Sequence, residues 1–188
     1  KERDSIMKKK VIAGLLTLCM CLSLTACGKK QEEVVDTTPV YEEIAMKGIS
    51  MEPQFKANDT LQINKNFQDI KRFDIIAYKR SSSDDYNYVH RVYGLPGETI
   101  KILDGTISIN GKTIEDPYAN GKMDENSNLT FTLKENEYFV LGDARAASKD
   151  SRNAGADKTA IAVSRSQIEG VVTAYKSEGA TNWMDINS

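Results

Sequence analysis

Histidine occurs once in this chain of 188 residues, at His90. A serine that attacks a carbonyl must pass its proton to a base. Near neutral pH, and without lysine chemistry, that base would have to be this histidine. It lies in Tyr88-Val89-His90-Arg91-Val92-Tyr93-Gly94, where strand alternation puts His90 and Val92 on one face and Val89 and Arg91 on the other. A lone histidine on a strand is more often a satisfied, partly buried group than a base, so a matching nucleophile is needed. Gly48-Ile49-Ser50-Met51-Glu52-Pro53 offers one. Pro53 forbids a helix through this stretch and pushes Glu52 away from the helical region. Ser50 therefore falls at a strand end or extended turn, able to present Oγ and to keep its own N–H for an oxyanion. A third stretch, Gly142 to Arg152, carries Asp143, Ser148, Asp150 and Arg152, the makings of a buried polar network at the end of a strand. Each segment alone is compatible with an ordinary turn, strand or polar loop.

The remaining composition narrows the chemistry. Cysteine occurs three times, at Cys19, Cys21 and Cys27, and nowhere after. The body therefore lacks the ligands for zinc fingers or iron–sulfur clusters and the thiol for cysteine catalysis. No Asp/Asn-rich calcium loop is recognisable, and neither a metal nor another cofactor is expected. A formal net charge of -2 gives no electrostatic case for nucleic acid.

The elements that must position these residues follow an N-terminal address. Met7-Lys8-Lys9-Lys10 is a basic head, residues 11–26 are almost wholly apolar, and small residues close the run, the layout of an export signal. Leu24-Thr25-Ala26-Cys27 resembles a bacterial lipobox, which makes Cys27 the candidate lipidation site. The other reading is an uncleaved membrane anchor, although the apolar run falls short of the ~20 residues a spanning helix wants. Either places the body outside the cytoplasm on a membrane. Residues 28–42 are polar and unpatterned and read as a flexible tether, residues 43–176 as the catalytic-type domain, and residues 177–188 as a tail.

Short β-branched and aromatic runs punctuated by Gly, Asn, Asp or Pro fill that domain, at 44–49, 60–63, 74–78, 86–93, 99–102, 106–109, 113–114, 129–133, 138–141, 160–163 and 171–175. Ile107-Ser108-Ile109-Asn110-Gly111-Lys112-Thr113-Ile114 is the clearest hairpin, since Asn-Gly suits both positive-φ positions of a type I′ turn. Only 164–168 suggests a helical turn, and there is no internal repeat. The fold expected is all-β, a folded sheet or partly open barrel, with 115–127 as a mobile inserted loop.

Taken in order, Ser-Met-x-Pro at 50–53, Arg-x-Asp-Ile-Ile-x-Tyr at 72–78, Tyr-Val-x-Arg-Val-x-Gly-Leu-Pro-Gly at 88–97, Asn-Gly-Lys at 110–112 and Phe-Val-Leu-Gly-Asp-x-Arg-x-x-Ser-x-Asp-Ser-Arg at 139–152 resemble the type I signal peptidase family. The resemblance implies a membrane-attached serine endopeptidase with the signal peptidase and LexA-like β-fold. It would cut signal peptides from exported preproteins after small residues (Ala-X-Ala), with preproteins and membrane lipid as partners and a monomeric chain. It implies that Ser50 is the nucleophile, with its N–H an oxyanion donor, and that His90 is the base. Met51 and Pro53 are assigned to the substrate groove. Ser148 would hydrogen-bond near the base, while Asp150 and Arg152 hold the last loop.

This sequence departs from the pattern at three places. His90 stands where most bacterial members have lysine and where endoplasmic-reticulum-type members have histidine. Lysine must lose its charge from a pKa of ~10.4 whereas histidine starts near ~6.5, so the exchange is chemically tolerable. An Asp would then help to orient the imidazole, with Asp150 the first candidate and Asp143 the second. Gly48 stands where some members carry a serine that adds an oxyanion donor. Ala144 replaces the usual Asn, and the stretch after Arg152 is longer than the pattern. These changes keep open a second reading, a catalytically weak or inactive lipoprotein that binds peptides or a partner on the same fold. A self-cleaving regulator of the LexA-like kind is disfavoured by the export signal.

Overall fold

The computed structural model describes residues 36–123, 128–153 and 161–186. The export segment and Cys27 lie outside them, as does the rest of the tether up to residue 35. Among the described residues no helix is long and apolar enough to cross a membrane. The architecture is all-β, and the helical segments among the described residues are short 3-10 turns such as Ser151–Asn153 and Arg165–Gln167.

Twelve strands form two sheets among the described residues. The larger has the order β1 (Tyr41–Ala45), β2 (Thr60–Asn64), β11 (Ile168–Lys176), β3 (Ile75–Tyr78), β4 (Tyr88–Gly94), β9 (Glu137–Leu141) and β10 (Val163–Ser164), with β12 (Met184–Asp185) paired to β11. The smaller runs β7 (Lys112–Thr113), β6 (Thr106–Ile109), β5 (Thr99–Leu103), β8 (Leu129–Thr132). The pairs are antiparallel, which suits the short connections between runs. Asn110 and Gly111 take φ of 50° and 80° in the turn between β6 and β7, and Asp104 and Gly105 take 49° and 76° between β5 and β6. Both are the two-residue hairpins that such pairs favour.

The central strands are apolar on both faces because both are covered. Ile75, Ala77 and Val89 join Met46, Met51, Phe55, Leu61, Ile63 and Val172 in one core. Ile76, Tyr78, Val92, Val140 and Ile168 build a second core. A third core, around Tyr93, Ile100, Ile107, Phe139 and Leu141, fastens the small sheet. A continuous apolar run such as Ile75-Ile76-Ala77-Tyr78 reads as a doubly covered strand for this reason.

Three observed features differ from the expectations and shape the site. The first strand spans Tyr41–Ala45, not 44–49, because Gly48 has a φ of 76°, a conformation that no pleated strand contains. The sheet thus begins inside the stretch read as tether, where Asn66 Nδ2 donates to the carbonyls of Asp36 and Thr38 at 2.8 and 2.7 Å. The described part of the expected mobile loop, residues 115–123, is held against the body. Tyr118 lies under the Arg91 guanidinium at 3.7 Å, Arg145 clamps Asp116, and Asn120 bridges to Ala144. The tail also contributes a strand, β12, which its lone short run of Trp183 and Met184 did not announce.

Candidate active site

The chain leaves β1 at Ala45, turns at Gly48 and folds into a tight turn in which Glu52 N donates to the Ile49 carbonyl at 3.2 Å and Phe55 N to the Met51 carbonyl at 3.0 Å. Ser50 sits in this turn. Its carbonyl accepts the Ala144 N–H at 3.0 Å, which ties the turn to the chain leaving β9. The junction is close: a Cβ on Gly142 would fall 2.2 Å from Ser148 Oγ and 2.6 Å from the Ser50 carbonyl oxygen. Only glycine allows that approach. The Ser50 N–H meets no acceptor among the described residues, so it is available as an oxyanion donor. Gly48 adds no side chain, and its φ of 76° would strain any residue that did.

His90 is delivered by β4 and is only 2 % exposed. Tyr78 Oη stands 2.9 Å from its Nδ1, and Ser148 Oγ stands 3.2 Å from its Nε2. Burial pulls its pKa from 6.5 down to about 4; the Asp150 charge opposes that shift, and Arg80 and Arg152 add to it. Uncharged imidazole is thus the form present at neutral pH.

Ser50 and His90 line one open cleft of about 340 Å³, with Lys47, Ile49, Tyr86 and Asn87 among its other walls. No hydrogen bond joins Ser50 Oγ to His90; in this resting arrangement Ser148 holds Nε2. Asn87, in the wall of that cleft, has a buried Oδ1 with no donor among the described residues.

The other sequence-derived site residues are distributed as follows. No hydrogen bond joins Asp150 to the imidazole. Its carboxylate takes the Gly142 N–H at 3.0 Å, the Arg152 N–H at 3.1 Å, and Arg152 Nε and Nη2 at 2.8 and 2.7 Å. Although burial works to raise its pKa, those donors hold the carboxyl below the usual range. Arg152 also donates to the Arg145 carbonyl at 2.8 Å, pinning the loop. Asp143 faces the opposite way, gripped by Arg91 Nε and Nη2 at 2.9 and 2.7 Å. Neither acid therefore orients His90. Met51 is fully buried in the first core and does not line the cleft, because the turn that exposes Ser50 sends the next side chain inward. Pro53 lines a separate hollow with Gln54, Pro117, Tyr118 and Asn120. Tyr78 was not among the expected site residues, since Ile75-Ile76-Ala77-Tyr78 is a continuous apolar run in which one hydroxyl is the only signal. Among the described residues no cluster of His, Cys, Asp and Glu could hold a metal ion.

Ser50, its N–H unengaged among the described residues, and the neutral, buried His90 thus line one cleft on an antiparallel β-scaffold. The chain belongs to the family described as "Signal peptidase, peptidase S26", whose sequence profile matches residues 18–175. It is 36 % identical over 132 residues to Signal peptidase I V of Bacillus subtilis (strain 168), an alignment spanning 62 % of this chain and 77 % of that one. Signal peptidase I T of the same organism is 34 % identical over 126 residues, covering 61 % and 65 % of the two chains. The crystal structure of a signal peptidase I from Enterococcus faecalis V583 matches at 33 % identity with a TM-score of 0.45, covering 56 % of this chain and 98 % of that one.

Proposed function

We propose that this protein is a serine endopeptidase that removes signal peptides from exported preproteins by cutting after small residues. The observation that carries this reading is the meeting of Ser50, with its unengaged N–H, and the chain's one histidine in a single cleft. Membership of the signal peptidase family and the names of its relatives supply the substrate class.

In the proposed reaction a peptide lies in the cleft and Ser50 Oγ attacks the scissile carbonyl carbon. Its proton passes to His90 Nε2 as the C–O bond forms, and the Ser50 N–H donates to the oxyanion. The imidazolium then protonates the leaving amine, the C–N bond breaks, and an acyl-serine remains. Water hydrolyses that ester with His90 again taking the proton. Because Ser148 occupies Nε2 at rest, Ser50 Oγ has to replace or share that hydrogen bond when substrate arrives, a tightening that is common between free and bound sites. Attachment to the outer face of the cell membrane, through a lipid on Cys27 or an uncleaved anchor, belongs to the same proposal and would bring the cleft to emerging preproteins.

The occupied Nε2 favours one alternative, a peptide-binding protein that has kept the fold without turnover. Cleavage of an Ala-X-Ala signal-peptide substrate by the full chain in detergent micelles separates the two. Under the peptidase reading Ser50→Ala and His90→Ala each abolish cleavage while the peptide still binds. A folded wild-type chain that binds the peptide and never cuts it would establish the binding protein instead.

A further inference from the structure

The imidazole's outer nitrogen needs a partner, and the acids that could serve are committed elsewhere. Asp150 already receives four hydrogen bonds from Gly142 and Arg152, and Asp143 is held by Arg91. In the β3–β4 register Tyr78 faces Tyr88 and Ile76 faces His90. Tyr78 is thus the diagonal neighbour of His90 on the same face, within reach for a long side chain. Its Oη lies 2.9 Å from Nδ1. The phenol ring is 1 % exposed and stacks on Tyr88 at 5.7 Å, with the Arg80 guanidinium 4.5 Å from the far ring. Its position is therefore set by packing before any substrate binds.

We propose that Tyr78 is a positioning residue for the base: its hydroxyl accepts the Nδ1–H of His90 and so presents the Nε2 lone pair to Ser148 and the Ser50 cleft. This rests on the reading of His90 as the base for Ser50. The reverse hydrogen bond, phenol O–H to Nδ1, would put the hydrogen on Nε2 and leave no lone pair there for the Ser50 proton. Tyr78 thus fills the place that a carboxylate takes in a Ser-His-Asp triad, but as a neutral group. Burial pushes its hydroxyl up to about 12, so it stays a phenol across the working range.

One histidine in the chain gives one pair of ring nitrogens, which nitrogen NMR of the histidine-labelled full chain reads without ambiguity. The wild type should show the Nδ1–H tautomer. Tyr78→Phe, which keeps the ring and its packing, should shift the population towards Nε2–H and lower kcat by roughly 10- to 100-fold with KM little changed. An Nε2–H tautomer in the wild type overturns the proposal without any variant. So does a Tyr78→Phe chain with wild-type tautomer and kcat. If Ser50→Ala still cleaved, the nucleophile reading would fall instead, and the ring spectrum would go on to judge the Tyr78 bond by itself.

Discussion

His90 and Arg91 are neighbours on β4, pointing to opposite faces, and both are nearly inaccessible to water. Their surroundings treat charge in opposite ways. Arg91 meets the Asp143 carboxylate through two parallel hydrogen bonds, lies over Tyr118, and donates to the Phe73 carbonyl at 3.1 Å. Bidentate geometry and a further carbonyl acceptor compensate the desolvation of that guanidinium. His90 meets two hydroxyls, and burial makes it neutral. Charge is retained where it organises the loop that carries Asp143 and the segment around Tyr118. It is removed where a lone pair is wanted. A carboxylate at Nδ1 would raise the histidine's affinity for protons; a phenol positions it while adding no charge.

The largest expected effect breaks the charged side of that comparison. Arg91→Met leaves the Asp143 carboxylate buried without its partner, and burial already pushes that carboxyl upward against the pull of Arg91. Loss of about 3–5 kcal/mol of unfolding free energy is expected, measured by denaturant titration. Pairing the change with Asp143→Leu should recover most of that loss, because an apolar pair replaces an ion pair at little cost. A double variant no better than Arg91→Met would mean that the damage lies in Tyr118 packing rather than in the orphaned charge.

The next effect tests the neutral side. The unfolded chain takes up the histidine proton at 6.5 and the folded chain only at about 4. Between those values the unfolded state binds more protons, so stability rises with pH. His90's contribution is complete above 6.5, is lost as pH falls through the window, and is gone below about 4. The loss should be on the order of 3 kcal/mol. Denaturant midpoints measured from pH 7 to 4 check it, with His90→Gln as the reference that should lose this slope. Equal slopes in the two chains would show that His90 is not the group responsible. The acid limb of kcat/KM for the free enzyme should likewise lie nearer 4 than 6.5.

How far these two environments could be read in advance depends on what fixes each. The all-β class was legible because β-branched runs and turn residues alternate along the chain, and the Asn110-Gly111 hairpin was legible because two positive φ values need such a pair. Alternation also assigned His90 and Arg91 to opposite faces. It did not assign partners, since these depend on cross-strand offset and on competition among donors. Asp150 looked like an orienting acid for His90, yet Arg152, two residues along, reaches it first with three donors. Tyr78 looked like strand filler because a single hydroxyl does not disturb an apolar pattern. Met51 was assigned to the groove by the family resemblance, whereas the turn rotates it into the core. Local rules gave the elements, while register and packing selected the contacts.

The smallest effect sharpens the comparison without disturbing the core. Arg80 is exposed, yet it lowers the histidine's pKa through space, bears on the Tyr78 hydroxyl, and donates to the Lys149 carbonyl at 2.7 Å. It brings a cation to bear on a buried base that the site keeps neutral. Arg80→Gln should therefore raise the pKa of His90, with the sign opposite to that of Asp150→Asn, which removes a charge favouring protonation. Titration of the single histidine by NMR reads both. Added salt should shrink the Arg80 effect more than the Asp150 effect, because a solvent-facing charge is screened and a buried one much less. If Arg80→Gln lowered the pKa, the phenol's engagement by Arg80 would outweigh the guanidinium's charge, and control of the base would run through Tyr78 rather than through the field at the ring.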